Sequence, residues 1–92
     1  MTVKFSSRCR KELKRIKQRN TVLFKRIEKQ LTLFYKYPNH PSLRLHKLSG
    51  SQQEAWSISV DMSVRMLFYY HQSDGEKYVV FFSVGTHDEV YE

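Results

Sequence analysis

The chain has 92 residues, 40% hydrophobic and 14% aromatic, with a formal net charge of +7. That allows one domain, residues 1–92, and no apolar run approaches the roughly 20 residues needed to span a bilayer, so no membrane-spanning segment is expected. Cys9 is the single cysteine, which excludes an internal disulfide, and the N-terminus has no apolar signal segment, so a reducing cytoplasmic setting is expected.

The charge is unevenly placed. Residues 1–48 hold fourteen Lys/Arg against Glu12 and Glu28, a net of +12; residues 49–92 hold Arg65 and Lys77 against seven acids, a net of −5. A surplus on this scale points to a polyanionic partner: nucleic acid, a membrane surface or an acidic protein.

Residues 2–5 (TVKF) alternate as a short strand does, and Ser6-Ser7 supplies a helix N-cap. Cys9, Leu13 and Ile16 then fall at i, i+4 and i+7, a narrow apolar stripe on an otherwise basic helix. Asn20 lies where one helix ends and the next begins. Leu23, Ile27, Leu31 and Phe34 repeat at helical spacing with Phe24 and Tyr35 beside them, and all three aromatics are expected in the core. Pro38 and Pro41 stop this second helix.

From Leu43 the hydrophobic period changes from 3.6 to 2. Leu43 and Leu45 alternate with Arg44 and His46, which predicts a strand. After a loop at residues 49–53, Trp56, Ile58 and Val60 alternate with Ser57 and Ser59, a half-buried strand with the serines on a wet face. Residues 61–63 reverse the chain. Residues 65–70 place Arg65, Leu67 and Tyr69 on one face and Met66, Phe68 and Tyr70 on the other. Residues 73–76 (SDGE) form a hairpin turn. The run YVVFFSV, residues 78–84, reads as a buried central strand, and a polar tail with His87 and Tyr91 leaves its end. The order predicts an α+β two-layer domain: a twisted antiparallel sheet with an N-terminal helical hairpin on one face, β-α-α-β-β-β-β.

The other face is where chemistry is expected. The four histidines, His40, His46, His71 and His87, are scattered with no zinc spacing, and the three glycines are isolated, so no phosphate-cradling loop is present. No metal or other cofactor is expected. What remains is acid–base chemistry by His, Tyr and Asp, with Arg to clamp a phosphate.

The order of elements, with LHKLSG at residues 45–50, WSISV, VRMLFYY and FFSVGTHDEVY at residues 81–91, resembles the RelE/ParE superfamily of small bacterial toxins. The ending is similar to the RelE-type branch, whose members cut messenger RNA on the ribosome. The resemblance implies a type II toxin, a ribosome-dependent endoribonuclease, with Arg65 as the phosphate-binding arginine. It implies His87 as the acid, and Tyr91 or His46 as base or stacking platform. His46 matches a histidine of the YafQ-like branch. Ser57 and Ser59 fall where founding members carry two catalytic lysines, and Asp61 is a further acid–base candidate. Lys11, Lys14 and Arg15 of the first helix, with Arg44 and Lys47, would hold RNA. The implied partners are a cognate antitoxin, messenger RNA on the ribosome and ribosomal RNA. Two other classes stay open: a non-enzymatic ParE-like inhibitor of a protein such as DNA gyrase, and a plain nucleic-acid-binding module.

Overall fold

The computed structural model describes residues 1–49 and 54–86, and Val90. The chain runs β1 (Thr2–Phe5), α1 (Ser7–Arg19), α2 (Thr21–Lys36), a 3-10 turn (Pro41–Leu43), β2 (His46–Lys47), β3 (Ala55–Ser59), β4 (Val64–Ser73) and β5 (Glu76–Thr86). The five strands form one sheet in the order β1-β5-β4-β3-β2. The expected α+β domain is what forms, with two helices packed on one face of the sheet. The sheet is mixed rather than wholly antiparallel, because β1 runs parallel to β5 in the register Val3–Val79 and Phe5–Phe81.

Local chemistry sets the helix ends. Ser6 Oγ accepts from the Cys9 amide at 3.1 Å. Asn20 serves both helices: its amide donates to the Ile16 carbonyl at 2.7 Å, and its Oδ1 accepts from the Leu23 amide at 3.1 Å. Each side-chain cap contributes about 1 kcal/mol. The apolar stripes of both helices meet the sheet in one core, in which Cys9, Ile27, Phe34, Ile58, Met66, Phe68 and Phe81 are buried. The Phe34, Phe68 and Phe81 rings lie 5.1–5.6 Å apart in tilted and edge-on arrangements, worth roughly 0.5–1.5 kcal/mol per pair beyond their burial. Tyr35, expected in the core, is 59% exposed instead. It neighbours Phe34 in sequence, and one step along a helix turns a side chain away from the buried stripe.

The strand expected from Leu43 is cut short. Pro41 opens the 3-10 turn, Arg44 adopts a left-handed conformation with φ of 47°, and β2 has only two residues. Leu43 is buried from that turn rather than from a strand. Gln30 ties the turn to the sheet, donating to the carbonyls of Ser59 at 3.0 Å and Ser42 at 3.5 Å. Asp74 and Gly75 close the β4–β5 hairpin, both with positive φ (52° and 78°), the signature of a type I′ turn.

Candidate functional site

The sheet face turned away from the helices carries the candidate site. Cross-strand register fixes who shares it. One row is His46, Ser57, Leu67 and Ser83, on β2, β3, β4 and β5; the next is Ser59, Arg65 and Gly85. Ser57, Ser59, Leu67 and Ser83 are buried, so the serines form the floor of this face and not the wet surface expected of them. The physical reason lies in position: β3 is an interior strand, and a short side chain there sits below its longer neighbours.

Arg65 is half-buried at the start of β4. Its Nη1 donates to the Asp61 carbonyl at 2.7 Å and the Val64 carbonyl at 3.2 Å. It makes no ion pair among the described residues. The main chain thus orients the guanidinium without neutralising it, which suits recognition of a ligand anion.

Asp61 builds the turn that does this. Its Oδ1 accepts from the amides of Ser63 at 2.9 Å and Val64 at 2.8 Å, and from the Ser63 hydroxyl at 3.3 Å; its Oδ2 lies 3.4 Å from Arg26 Nη1 on α2. Burial alone pushes the Asp61 carboxyl up, but these hydrogen bonds outweigh it and hold its pKa below the ordinary value. A carboxylate so engaged serves the turn and is not free as an acid–base group.

His46 is exposed on β2, and its Nδ1 lies 2.9 Å from the Arg44 carbonyl. A carbonyl only accepts, so Nδ1–H is the donor, which in the neutral tautomer makes Nε2 the acceptor nitrogen. His46 and Arg65 are two strands and two residues apart, about 12 Å between Cα atoms by strand geometry, and both point to the open face. Arg44 lines a shallow cleft of about 270 Å³ with Ser42, Ser59, Val60, Asp61 and Met62. Lys47 is exposed and pairs with Glu54 at 3.5 Å.

The predicted RNA-binding residues of α1 are not gathered here. Lys11, Lys14 and Arg15 are exposed on α1, in the helix layer across the sheet from Arg65. His87 and Tyr91 lie outside the described residues. No group of three or more His, Cys, Asp and Glu is placed to hold a metal among the described residues, and no described helix is long and apolar enough to cross a membrane.

Beyond Tyr69, which alternation already places with Arg65, the same face carries Lys4, His71, Tyr78, Val80 and Phe82, to which the sequence assigned no role. Alternation along β4 and β5 could have found most of them. Phe82 was hidden by a β-bulge: Leu67 pairs with Ser83 but Phe68 pairs with Phe81, so Phe82 is the extra residue. The bulge brings its ring to 5.7 Å from that of Tyr69.

Neither a protein-family model nor a curated protein matches this sequence. Solved structures do. A metal-bound toxin from Helicobacter pylori aligns with a TM-score of 0.77 at 18% identity, covering 98% of each chain. The YoeB/ParE toxin from Agrobacterium tumefaciens aligns at 0.76 and 13% identity, over 95% of this chain and 99% of that one. The E. coli DinJ–YafQ toxin–antitoxin complex aligns at 0.74 and 21% identity, over 98% of this chain and 96% of that one. The chain has the fold of the YoeB/ParE and YafQ toxins. The likeness runs the length of the domain, so the resemblance drawn from the sequence holds at the level of the fold.

Proposed function

We propose that this chain is the toxin of a toxin–antitoxin pair and that it cuts messenger RNA on the ribosome. The observation that carries the reading is Arg65: a cation on the open sheet face of a toxin fold, oriented by two carbonyls and paired with no acid among the described residues.

The chemistry needs only what RNA and the side chains bring. The 2′-hydroxyl beside the scissile phosphate attacks phosphorus. His46 Nε2 takes the hydroxyl proton, the P–O5′ bond breaks, and the leaving 5′-oxygen takes a proton from an acid, the role assigned to His87. Arg65 stabilises the charge that builds on the phosphoryl oxygens. The products are a 2′,3′-cyclic phosphate and a 5′-hydroxyl. Tyr91 is assigned to stacking on a base. Lys11, Lys14 and Arg15 hold ribosomal RNA from the helix layer, while Arg44 and Lys47 flank the site. The antitoxin partner is supported by the DinJ–YafQ complex among the similar structures and by the +12 excess of the first half, which suits an acidic wrapping segment.

The buried serine floor favours a second reading. No lysine stands at positions 57 and 59, and a non-enzymatic inhibitor of a protein such as gyrase has no need of one. Induced expression in a bacterium, with primer extension on a reporter message, decides between them. New 5′ ends that depend on Arg65 support the nuclease; growth arrest with intact messages supports the inhibitor.

A further inference from the structure

The β4–β5 hairpin outruns its neighbours. β3 pairs with β4 only as far as Ala55–Tyr69, and β1 pairs with β5 only from Thr2–Tyr78 onward, while β4 and β5 continue to Ser73–Glu76. On the open face the rows running toward the tip are Lys4, Val80 and Tyr69, then Thr2, Tyr78 and His71. The rings form two cross-strand pairs. Tyr69 sits 5.7 Å from Phe82, and His71 sits 4.9 Å from Tyr78. Lys4 Nζ lies 4.3 Å from the centre of the Tyr78 ring. Tyr69, Tyr78 and Phe82 are half-buried, and His71 and Lys4 are exposed.

We propose that Lys4, Tyr69, His71, Tyr78 and Phe82 form a stacking track for single-stranded RNA, continuing along the open face from Arg65. The proposal deepens the nuclease reading and takes from it the class of ligand. Two physical points select that ligand. Aromatic faces interleaved with cations accept bases of any sequence, because every base has a π-face and every linkage a charge. The charge on the face is complementary too: Arg65 and Lys4 share it, and Glu76, beside the turn, is the carboxylate that strand alternation places there. Arg65 and His71 are six residues apart on one strand, about 20 Å. A strand whose phosphate rests at Arg65 therefore has flanking nucleotides within reach of the rings. A duplex, with its bases stacked inside, has none to offer.

The test is fluorescence anisotropy with a 5′-fluorescein single-stranded RNA of mixed sequence, 2′-O-methylated so that it is not cut. Tyr69→Ala and Tyr78→Ala are each expected to weaken binding by roughly 5- to 150-fold, the loss of one stacked base. Tyr69→Phe and Tyr78→Phe keep the ring and should retain wild-type affinity, which separates stacking from misfolding. Lys4→Ala should lower the salt dependence of binding by about one counterion. Alanine variants that bind like wild type, a duplex of equal length bound as tightly as the single strand, or variants that lose only a co-purifying protein would each overturn the track. The two readings fail separately. Loss of RNA binding in the tyrosine variants of a chain that cuts no message keeps the track and removes the nuclease. Arg65-dependent cleavage with unchanged binding in those variants does the reverse.

Discussion

Arg65 Nη1 donates to the main-chain carbonyl of Asp61 at 2.7 Å, while the Asp61 carboxylate reaches Arg26 of α2 at 3.4 Å. One residue therefore orients the candidate phosphate ligand with its backbone and fastens that turn to the helix layer with its side chain. The pair Arg65–Asp61 couples the site to the helix layer.

Substituting Arg65 tests the site most directly. Arg65→Ala should lower message cleavage by roughly 10² to 10³ and leave thermal unfolding nearly unchanged, because the side chain is only half-buried and belongs to no apolar cluster. Arg65→Lys should rescue little, since an ammonium cannot both bond the turn carbonyls and present a planar fork to phosphate. Cleavage at the wild-type rate in Arg65→Ala would remove the arginine from the mechanism.

Asp61 should behave as a structural residue that positions Arg65. Asp61→Ala leaves the Ser63 and Val64 amides without their acceptor and is expected to cost about 1–3 kcal/mol of stability, near the lower end because water reaches the turn. Asp61→Asn keeps an acceptor oxygen but loses the charge. The folded pKa of Asp61 is depressed, so its contribution is present above the ordinary carboxylate range and is lost as pH falls through that range toward the folded value. Denaturant melts of wild type and Asp61→Asn should differ near neutrality and converge in acid. A constant difference at every pH would show that the charge is not what matters.

His46 is assigned a proton and not a contact. His46→Ala should reduce single-turnover cleavage by roughly 10² to 10⁴ while RNA affinity changes little. The triple change Lys11→Ala, Lys14→Ala and Arg15→Ala should do the opposite. It should weaken ribosome binding, reduce the salt slope by about three, and leave the rate within the bound complex unchanged. Filter binding across a salt series, beside single-turnover rates, separates the two effects.

Cys9 should be inert while the domain is folded. Its side chain is fully buried beneath α1, and burial, with Glu12 adding to it, pushes the thiol pKa up to about 12. The thiolate is the reactive form, so iodoacetamide at pH 8 should leave native protein unmodified and label it in denaturant. Ready labelling of the native protein would mean that α1 opens locally.

Much of this protein was written in its sequence. Local signals are enough to mark Ser6 and Asn20 as caps, Asp74-Gly75 as a hairpin turn, and the stripes Cys9–Leu13–Ile16 and Leu23–Ile27–Leu31–Phe34 as buried helix faces, because each depends on residues within a few positions. The face of β4 that holds Arg65 was legible for the same reason, since alternation is a local property. Tertiary structure decided what depends on neighbours far along the chain. It made β1 a parallel partner of β5, across more than seventy residues. It inserted a bulge at Phe82, so that Val79, Phe81 and Val84 face the core where unbroken alternation would have sent Ser83. It sank Ser57 and Ser59 into the floor by setting β3 inside the sheet, and it turned the Asp61 carboxylate toward Arg26 and the β3–β4 turn. Register and strand order come from the whole set of packed side chains at once, and no window of sequence contains that sum.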